Sequence, residues 1–237
     1  HLLKKWLPPL SFPDLLLPIL GQSMFRKSVE RNKVKYNIIN LFDYVNDNDG
    51  RIDDYPYGGG EGMIMKPEPI FNVFDSLKLN SFKTVFATPD GELFNHKKAF
   101  ELSKERNIVF ICGHYKGLDQ RVRDRLVTDE ISIGDYVLTN GEIPSLVMID
   151  SIMRLIPGVL NDYKSAEKDS FSDELLDGPH YTRPREYRGL KVPDILLSGN
   201  HSKIEKWFLD KRIDKTISKR KDLFEKYKSK NNGDKNE

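Results

Sequence analysis

Two hydrophobic rhythms alternate along the first two-thirds of this chain. Runs of strand character occur at 34–41, 84–88, 108–112 and 136–138, and stretches of helical spacing at 15–31, 97–106 and 145–156. That alternation predicts an α/β fold, a mostly parallel sheet covered by helices. In the stretch 145–156, Ile149, Ile152, Met153 and Ile156 fall on one face, and Pro157-Gly158 ends the helix. Between 161 and 171 the chain turns polar and short-sided, through Asn161, Asp162, Ser165, Glu167, Lys168, Asp169 and Ser170, which reads as a linker. Past it, Ser202 and Glu205 have capping-box spacing, and Ile204, Trp207 and Phe208 form a helical stripe that reads as core. The expected organisation is a domain over 1–160, a flexible linker over 161–169 and a small helical domain over 170–237, with 231–237 disordered.

A length of 237 residues accommodates one large domain, or a medium and a small one. The net charge of +2 is too slight to argue for a polyanionic partner by itself. Lys and Arg crowd 203–230, and on charge alone that stretch is a solvated helix face. The single cysteine, Cys112, closes the apolar run Ile108-Val109-Phe110-Ile111. It excludes a disulfide framework, is compatible with a reducing compartment, and reads as a small core residue. No apolar segment is long enough to cross a bilayer, and the N-terminus lacks the apolar core and cleavage site of a signal peptide, so a cytoplasmic protein is expected. Pro8-Pro9 would remove ladder donors, so a first strand here is short, or the first residues are not native. The histidines lack paired metal-ligand spacing, and no structural zinc is expected.

The densest local chemistry lies between Ser132 and Pro144. Gly134 and Gly141 flank the run Tyr136-Val137-Leu138 and let backbone groups approach a ligand closely on both sides, although a buried hairpin would fit this segment alone. A second glycine-rich loop, Tyr57-Gly58-Gly59-Gly60-Glu61-Gly62-Met63, fails the dinucleotide spacing and lacks the Lys-Ser/Thr of a phosphate-binding loop. It reads as a flexible loop that shapes or contacts a substrate site or a dimer interface. His180-Tyr181-Thr182-Arg183-Pro184-Arg185 mixes rings and cations, which suits stacking on an unpaired base and phosphate contact, or else is a proline-rich loop with solvated arginines.

The ordered set of segments spans nearly the whole chain. It begins with Asp53-Asp54-Tyr55-Pro56-Tyr57-Gly58-Gly59-Gly60, Gly62-Met63 and Cys112-Gly113-His114-Tyr115. Ser132 to Pro144 follows, then Ile149-Asp150-Ser151 with Arg154, Ile156-Pro157-Gly158-Val159-Leu160 and Asp169-Ser170-Phe171. It closes with Leu175-Leu176-Asp177, Pro179-His180-Tyr181-Thr182-Arg183-Pro184 and Leu196-Leu197-Ser198-Gly199-Asn200-His201. Together these resemble the bacterial tRNA (guanine-N1)-methyltransferases, the TrmD family of the SPOUT class. The resemblance implies a trefoil knot between about 84 and 138, against the rule that chains avoid threading, with crossings at Thr88-Pro89, 112–117 and 133–138. It also implies S-adenosyl-L-methionine as methyl donor, tRNA as substrate, and N1 of the guanosine immediately 3′ of the anticodon as target. A homodimer is implied too, in which one subunit's cofactor pocket meets the other's C-terminal domain; no membrane and no other protein partner are implied.

Guanine N1 carries a proton at neutral pH, so its methylation needs a base, and the charge that spreads to O6 calls for a cation. By resemblance Asp169 is the general base and Arg154 the cation on O6 or the phosphate. On sequence alone Asp169 would be a helix cap and Arg154 a partner of a helix C-terminus. The resemblance places the donor at Thr88, Pro89, Gly113, Tyr115, Ile133, Gly134, Asp135, Tyr136, Val137, Leu138, Gly141 and Pro144, with Asp177 of the second subunit. It places tRNA contacts at His180, Arg183 and Arg185, with the basic C-terminal stretch as a grip on the anticodon arm. His114 and Lys116 stand where the family often has Arg and Glu; Glu would suit the ammonium of the methionine moiety, and Lys116 cannot. The family's activity is magnesium-dependent, yet no residue cluster reads as a magnesium cage, and no metal ligand is assigned. Two other functions share parts of the pattern. A SPOUT methyltransferase acting on a ribose 2′-OH or an rRNA base would not need a base matched to guanine N1, so Asp169 with Arg154 argues against it. A non-catalytic RNA-binding protein on the same scaffold would bind tRNA without methyl transfer.

Overall fold

The computed structural model describes residues 4–7, 9–10, 13–46, 50–79, 81–160 and 170–233. The chain divides into two compact units, His1–Asn161 and Asp162–Glu237. Strands of the first unit are β1 (Lys4–Leu7), β2 (Pro9–Leu10), β3 (Val34–Tyr36), β4 (Ile39–Asn40), β5 (Asp53–Asp54), β6 (Ile64–Met65), β7 (Lys83–Leu93), β8 (Asn107–Ile111) and β9 (Asp129–Ser132). Its helices are α1 (Pro13–Leu20), α2 (Ser23–Glu30), α3 (Pro67–Ser76), α4 (His96–Ser103), α5 (Gln120–Leu126) and α6 (Glu142–Met153).

Five strands form one parallel sheet in the order β3-β1-β8-β7-β9, while β2 pairs with β4 and β5 with β6. Every residue of β8 is buried, as expected of a central strand covered on both faces. Successive side chains point to opposite faces. Ile108 and Phe110 pack with Val85, Leu102, Met148, Ile149 and Ile152, while Val109 and Ile111 pack with Phe86, Ile70, Val73 and Val122. Each such side chain contributes about 1.5–3 kcal/mol by leaving water. Cys112 is fully buried beside Leu16, Leu20 and Leu146, with Ser145 Oγ 3.3 Å from its sulfur. Burial pushes its thiol well above the ordinary range; the Glu142 carboxylate adds to this and the Ser145 hydrogen bond opposes it.

Several elements differ from the sequence expectation. The run 34–41 is not one strand: Val34–Tyr36 pairs in the main sheet, Ile39–Asn40 pairs with β2, and Leu41–Tyr44 turns as a 3-10 helix capped by Asn40. The helix 15–31 is two helices broken after Leu20, at Gly21, whose backbone freedom opposes helix. The helix 97–106 is His96–Ser103, its start set by Asn95, whose side chain accepts from the Lys98 amide at 3.0 Å. The helix 145–156 begins earlier and ends at Met153, so Ile156 is buried beyond its end. Residues 136–138 form no strand; the edge strand is β9, which opens on the charges Asp129 and Glu130. Those charges are neutralised by other elements: Lys98 and Lys83 stand 3.3 and 3.5 Å from Asp129, and Arg123 stands 2.6 Å from Glu130. Burial opposes ionisation of Asp129, but Thr128 and the two lysines outweigh it and hold the carboxyl below its ordinary value.

The second unit contains the hairpin β10 (Glu186–Tyr187) and β11 (Leu190–Lys191), then α7 (His201–Lys219) and α8 (Lys221–Gly233). The capping box at Ser202 and Glu205 is replaced by Asn200, whose side chain accepts from the Lys203 amide at 3.1 Å. Ser170 and Phe171 belong to a turn and not to a linker: Ser170 Oγ accepts from the Asp177 amide at 2.9 Å, and the Phe171 amide donates to Leu175 at 3.0 Å. Residues 231–233 continue α8 where disorder was expected, and 234–237 lie outside the described residues. The expected linker 161–169, with Asp169, also lies outside them.

Candidate cofactor site

Three neighbouring parallel strands, β8, β7 and β9, run side by side, and the loops after β8 and β9 with a bulge within β7 enclose one cavity of about 330 Å³. Ligands in parallel sheets bind outside the carboxyl ends of strands, and this volume is that of a small-molecule pocket. On β7, Ala87 and Glu92 both face Ile131 of β9, so Thr88-Pro89-Asp90-Gly91 is extruded as a bulge. Gly91 is pressed onto β9, where a Cβ would lie 2.5 Å from the Ile131 nitrogen. Arg123 pins the bulge: its Nη2 donates to Asp90 at 2.8 Å and to Glu130 at 2.6 Å. The Thr88 hydroxyl, then Arg123, holds the Asp90 carboxyl below its ordinary range.

The second wall is nearly pure backbone. The Gly141 amide donates to the Gly113 carbonyl at 2.8 Å, and a Cβ on Gly141 would lie 2.5 Å from the Gly113 nitrogen. A Cβ on Gly113 would in turn lie 2.8 Å from the Phe86 ring. Behind this contact His114 Nε2 meets Glu142 Oε1 at 2.8 Å, both residues buried. The third wall is a tight turn after β9, in which the Tyr136 amide donates to Gly134 at 2.9 Å and the Tyr136 ring covers Gly134, where a Cβ would lie 2.4 Å from it. Tyr136, Val137 and Leu138 are exposed, Val137 by 81%, so the strand-like run serves as cavity rim.

Eleven of the residues expected at the donor site line this cavity: Thr88, Pro89, Gly113, Tyr115, Ile133, Gly134, Tyr136, Val137, Leu138, Gly141 and Pro144. Asp135 sits in the same loop but is not among the lining residues. Asp177 lies in the second unit, bonded to His180 Nε2 and to the Gly178 amide, each at 2.7 Å. Burial opposes its ionisation, and these hydrogen bonds outweigh it, holding its carboxyl below the ordinary value. Sequence reasoning missed Phe86, Ala87, Gly117, Ile131, Ser132, Thr139 and Asn140 as lining residues, and took His114 and Lys116 only as departures. Strand parity could have found Phe86 and Ile131 only with the bulge known.

Arg154 caps the C-terminus of α6 and is exposed. It is not among the lining residues, and the 12 residues of α6 place it about 18 Å from the Gly141 end. Burial pushes the Asp150 carboxyl up, one turn before Arg154, whose charge opposes that shift. His180, Arg183 and Arg185 are exposed; the His180 ring stands 6.3 Å from Phe208, and the Arg185 carbonyl accepts from Val192 at 2.9 Å. Among the described residues no three His, Cys, Asp or Glu side chains gather as a metal site, and no helix is long and apolar enough to cross a membrane.

The family model described as tRNA (Guanine-1)-methyltransferase TrmD matches residues 10–226. The tRNA (guanine-N(1)-)-methyltransferases of Staphylococcus aureus strains JH9, Newman and N315 are each 52% identical over 217 residues, covering 91% of this chain and 89% of theirs. With the family model spanning both units and the relatives aligned over nearly their full length, the chain belongs to the TrmD family of tRNA (guanine-1)-methyltransferases.

Proposed function

We propose that this enzyme transfers a methyl group from S-adenosyl-L-methionine to N1 of the guanosine immediately 3′ of the tRNA anticodon. The observation that carries the reading is the glycine-walled cavity, in a chain of the TrmD family. When bound, the donor supplies an electrophilic methyl group on sulfur. Ala87, Ile131, Ile133 and Val137 offer an apolar bed for a flat base, and the walls at Gly113 and Gly141 bring main-chain groups within reach of its edge. Asp169 takes the N1 proton, and Arg154 stabilises the charge that reaches O6. His180, Arg183, Arg185 and the lysines of α7 and α8 hold tRNA, and Asp177 of the second subunit takes part in the donor site. The described residues form no cage for magnesium, and no ligand to it is assigned.

Arg154 stands about 18 Å along α6 from the Gly141 wall of the cavity, which supports its being supplied to a guanine there by a second copy of the chain. The reading therefore includes a homodimer. In support, α1 and α6 pack through Leu16, Leu20 and Leu146 and turn Leu15, Leu17, Ile19, Ile143 and Val147 outward, each at least 38% exposed. The fold reading extends to a SPOUT trefoil knot over 84–138, and the cellular reading to the cytoplasm, where tRNA is matured.

The test is transfer of radiolabelled methyl to tRNA transcripts that differ only at that guanosine. Label confined to the guanosine-bearing transcript, recovered as N1-methylguanosine, is the expected result. Label on ribose or on rRNA overturns the target, and tRNA binding without label overturns the enzyme reading.

A further inference from the structure

The cavity rim carries one charge that the reading above leaves unused. Lys116 lies in the turn that follows β8, closed by the Gly117 amide on the His114 carbonyl at 3.0 Å. The turn is fixed to the glycine-rich loop: the Lys116 amide donates to Met63 at 3.0 Å, and the Met65 amide to Gly117 at 3.0 Å. The Lys116 stem lies across that loop, where a Cβ on Gly62 would come 3.2 Å from Lys116 Cγ and one on Gly60 would come 3.9 Å from its Nζ. Gly60 and Gly62 hold φ of +116° and +89°, so the loop has both the backbone and the bareness that accommodate the lysine.

Among the described lining residues no other side chain carries a full charge of fixed sign, and Lys116 makes no ion pair with a described residue. His114 is turned to Glu142, and Asp53 is engaged by the Tyr115 hydroxyl. The remaining walls are backbone, apolar side chains and uncharged polar ones such as Thr88, Ser132, Thr139 and Asn140. A methyl donor of this class has a flat base at one end and a zwitterionic amino acid at the other. Charged groups are costly against apolar walls unless paired. The charged end therefore belongs beside the one charged side chain, and because that side chain is a cation it takes the carboxylate and not the ammonium.

We infer that Lys116 binds the carboxylate of the amino-acid end of the methyl donor and of its demethylated product. This rests on the cofactor reading above. A lysine ammonium on a flexible stem suits a single carboxylate oxygen. The competing oxyanion for the same lysine is a tRNA phosphate.

Calorimetry with two ligands separates these cases: S-adenosylhomocysteine, which has the amino-acid end, and 5′-methylthioadenosine, which lacks it. Lys116→Met is expected to weaken S-adenosylhomocysteine about 5–20-fold and to leave 5′-methylthioadenosine unchanged, with Lys116→Arg recovering most of the loss. Thermal melting checks that the variants fold. A wild-type protein that binds neither ligand removes the cofactor reading and this inference together. Wild-type binding of S-adenosylhomocysteine that Lys116→Met leaves unaltered overturns the inference alone, as does equal weakening of both ligands, which would make Lys116 a cavity-shaping residue. A loss confined to tRNA affinity, with the salt slope lowered by about one, assigns the lysine to phosphate and also overturns it.

Discussion

His114 and Glu142 meet nitrogen to oxygen at 2.8 Å, with Glu142 wholly buried and its second oxygen, Oε2, lacking a hydrogen-bond partner. His114 belongs to the turn after β8 and Glu142 opens α6, so the pair ties two cavity walls together. His114→Ala would leave a buried carboxylate with no side-chain partner at either oxygen. Leaving a buried polar group without its partner costs about 1–3 kcal/mol. Urea unfolding is expected to show a large fall in midpoint with an unchanged slope, and S-adenosylhomocysteine to restore part of it by binding the folded state. An unaltered midpoint would mean that the contact contributes nothing.

Gly141→Ala places a methyl group 2.5 Å from the Gly113 nitrogen, a main-chain atom that no rotamer change can move aside. The start of α6 and the end of β8 must separate, and the cavity lies where they touch. Loss of at least about tenfold in S-adenosylhomocysteine affinity is expected, with about 1–3 kcal/mol of destabilisation from overpacking. Calorimetry and urea unfolding on the same preparation check both. Tight binding by the variant would remove the backbone wall from the site.

Tyr36 carries a stability dependence on the alkaline side. Burial raises its phenol to about 12, an effect that the Ser28 hydrogen bond opposes and the Asp150 charge reinforces. Between pH 10 and 12 the unfolded chain has lost this proton while the folded one keeps it, so the unfolded state binds fewer protons and stability falls as pH rises. The loss amounts to about 2 kcal/mol by pH 12 and is absent below pH 10. Tyr36→Phe should flatten this part of the urea-midpoint profile, at the constant cost of the hydrogen bonds with Ser28 and Met153. A wild-type slope surviving in the variant would assign the alkaline loss to other groups.

How much of this was legible depended on where the neutralising partner sits. The core strand β8 is a continuous apolar run, Ile108 to Ile111, and needs no distant residue to be recognised. The strand β9 was hidden because Asp129 and Glu130 look like a loop until Lys83 and Lys98, remote in sequence, and Arg123, from the preceding helix, are seen to meet them. The run Tyr136-Val137-Leu138 has strand composition, but Gly134, at a φ of +153°, folds the chain back on itself and exposes all three. Gly141 was legible as a point of close approach, since a glycine's lack of a side chain is visible in the sequence, and Gly113 only through the resemblance. Their contact with each other was not, and neither was the bulge that aligns Ala87 and Glu92 on the same Ile131. Asp169 was legible only by resemblance and lies outside the described residues.

The length of α6 makes the placement of Arg154 testable. Arg154 and the cavity stand at opposite ends of a helix whose 12 residues rise about 18 Å, longer than an arginine side chain extends. If Arg154 acts on a guanine bound at the cavity, the two contributions come from different copies. Two inactive variants should then complement. Arg154→Ala keeps an intact cavity, whereas Thr88→Trp fills the cavity from the bulge, outside the apolar core, and keeps the arginine. In a purified heterodimer of the two, one site combines the intact cavity of one copy with the intact arginine of the other, and the second site lacks both. Turnover is expected at about half the wild-type value, from one working site of two. If both groups came from the same copy, each site would lack one of them and the heterodimer would be as inactive as its parents. Single-turnover methyl transfer by the heterodimer, beside each homodimer, distinguishes the two: an inactive heterodimer would place Arg154 in the mechanism of its own chain, and an active Arg154→Ala homodimer would remove it from the mechanism.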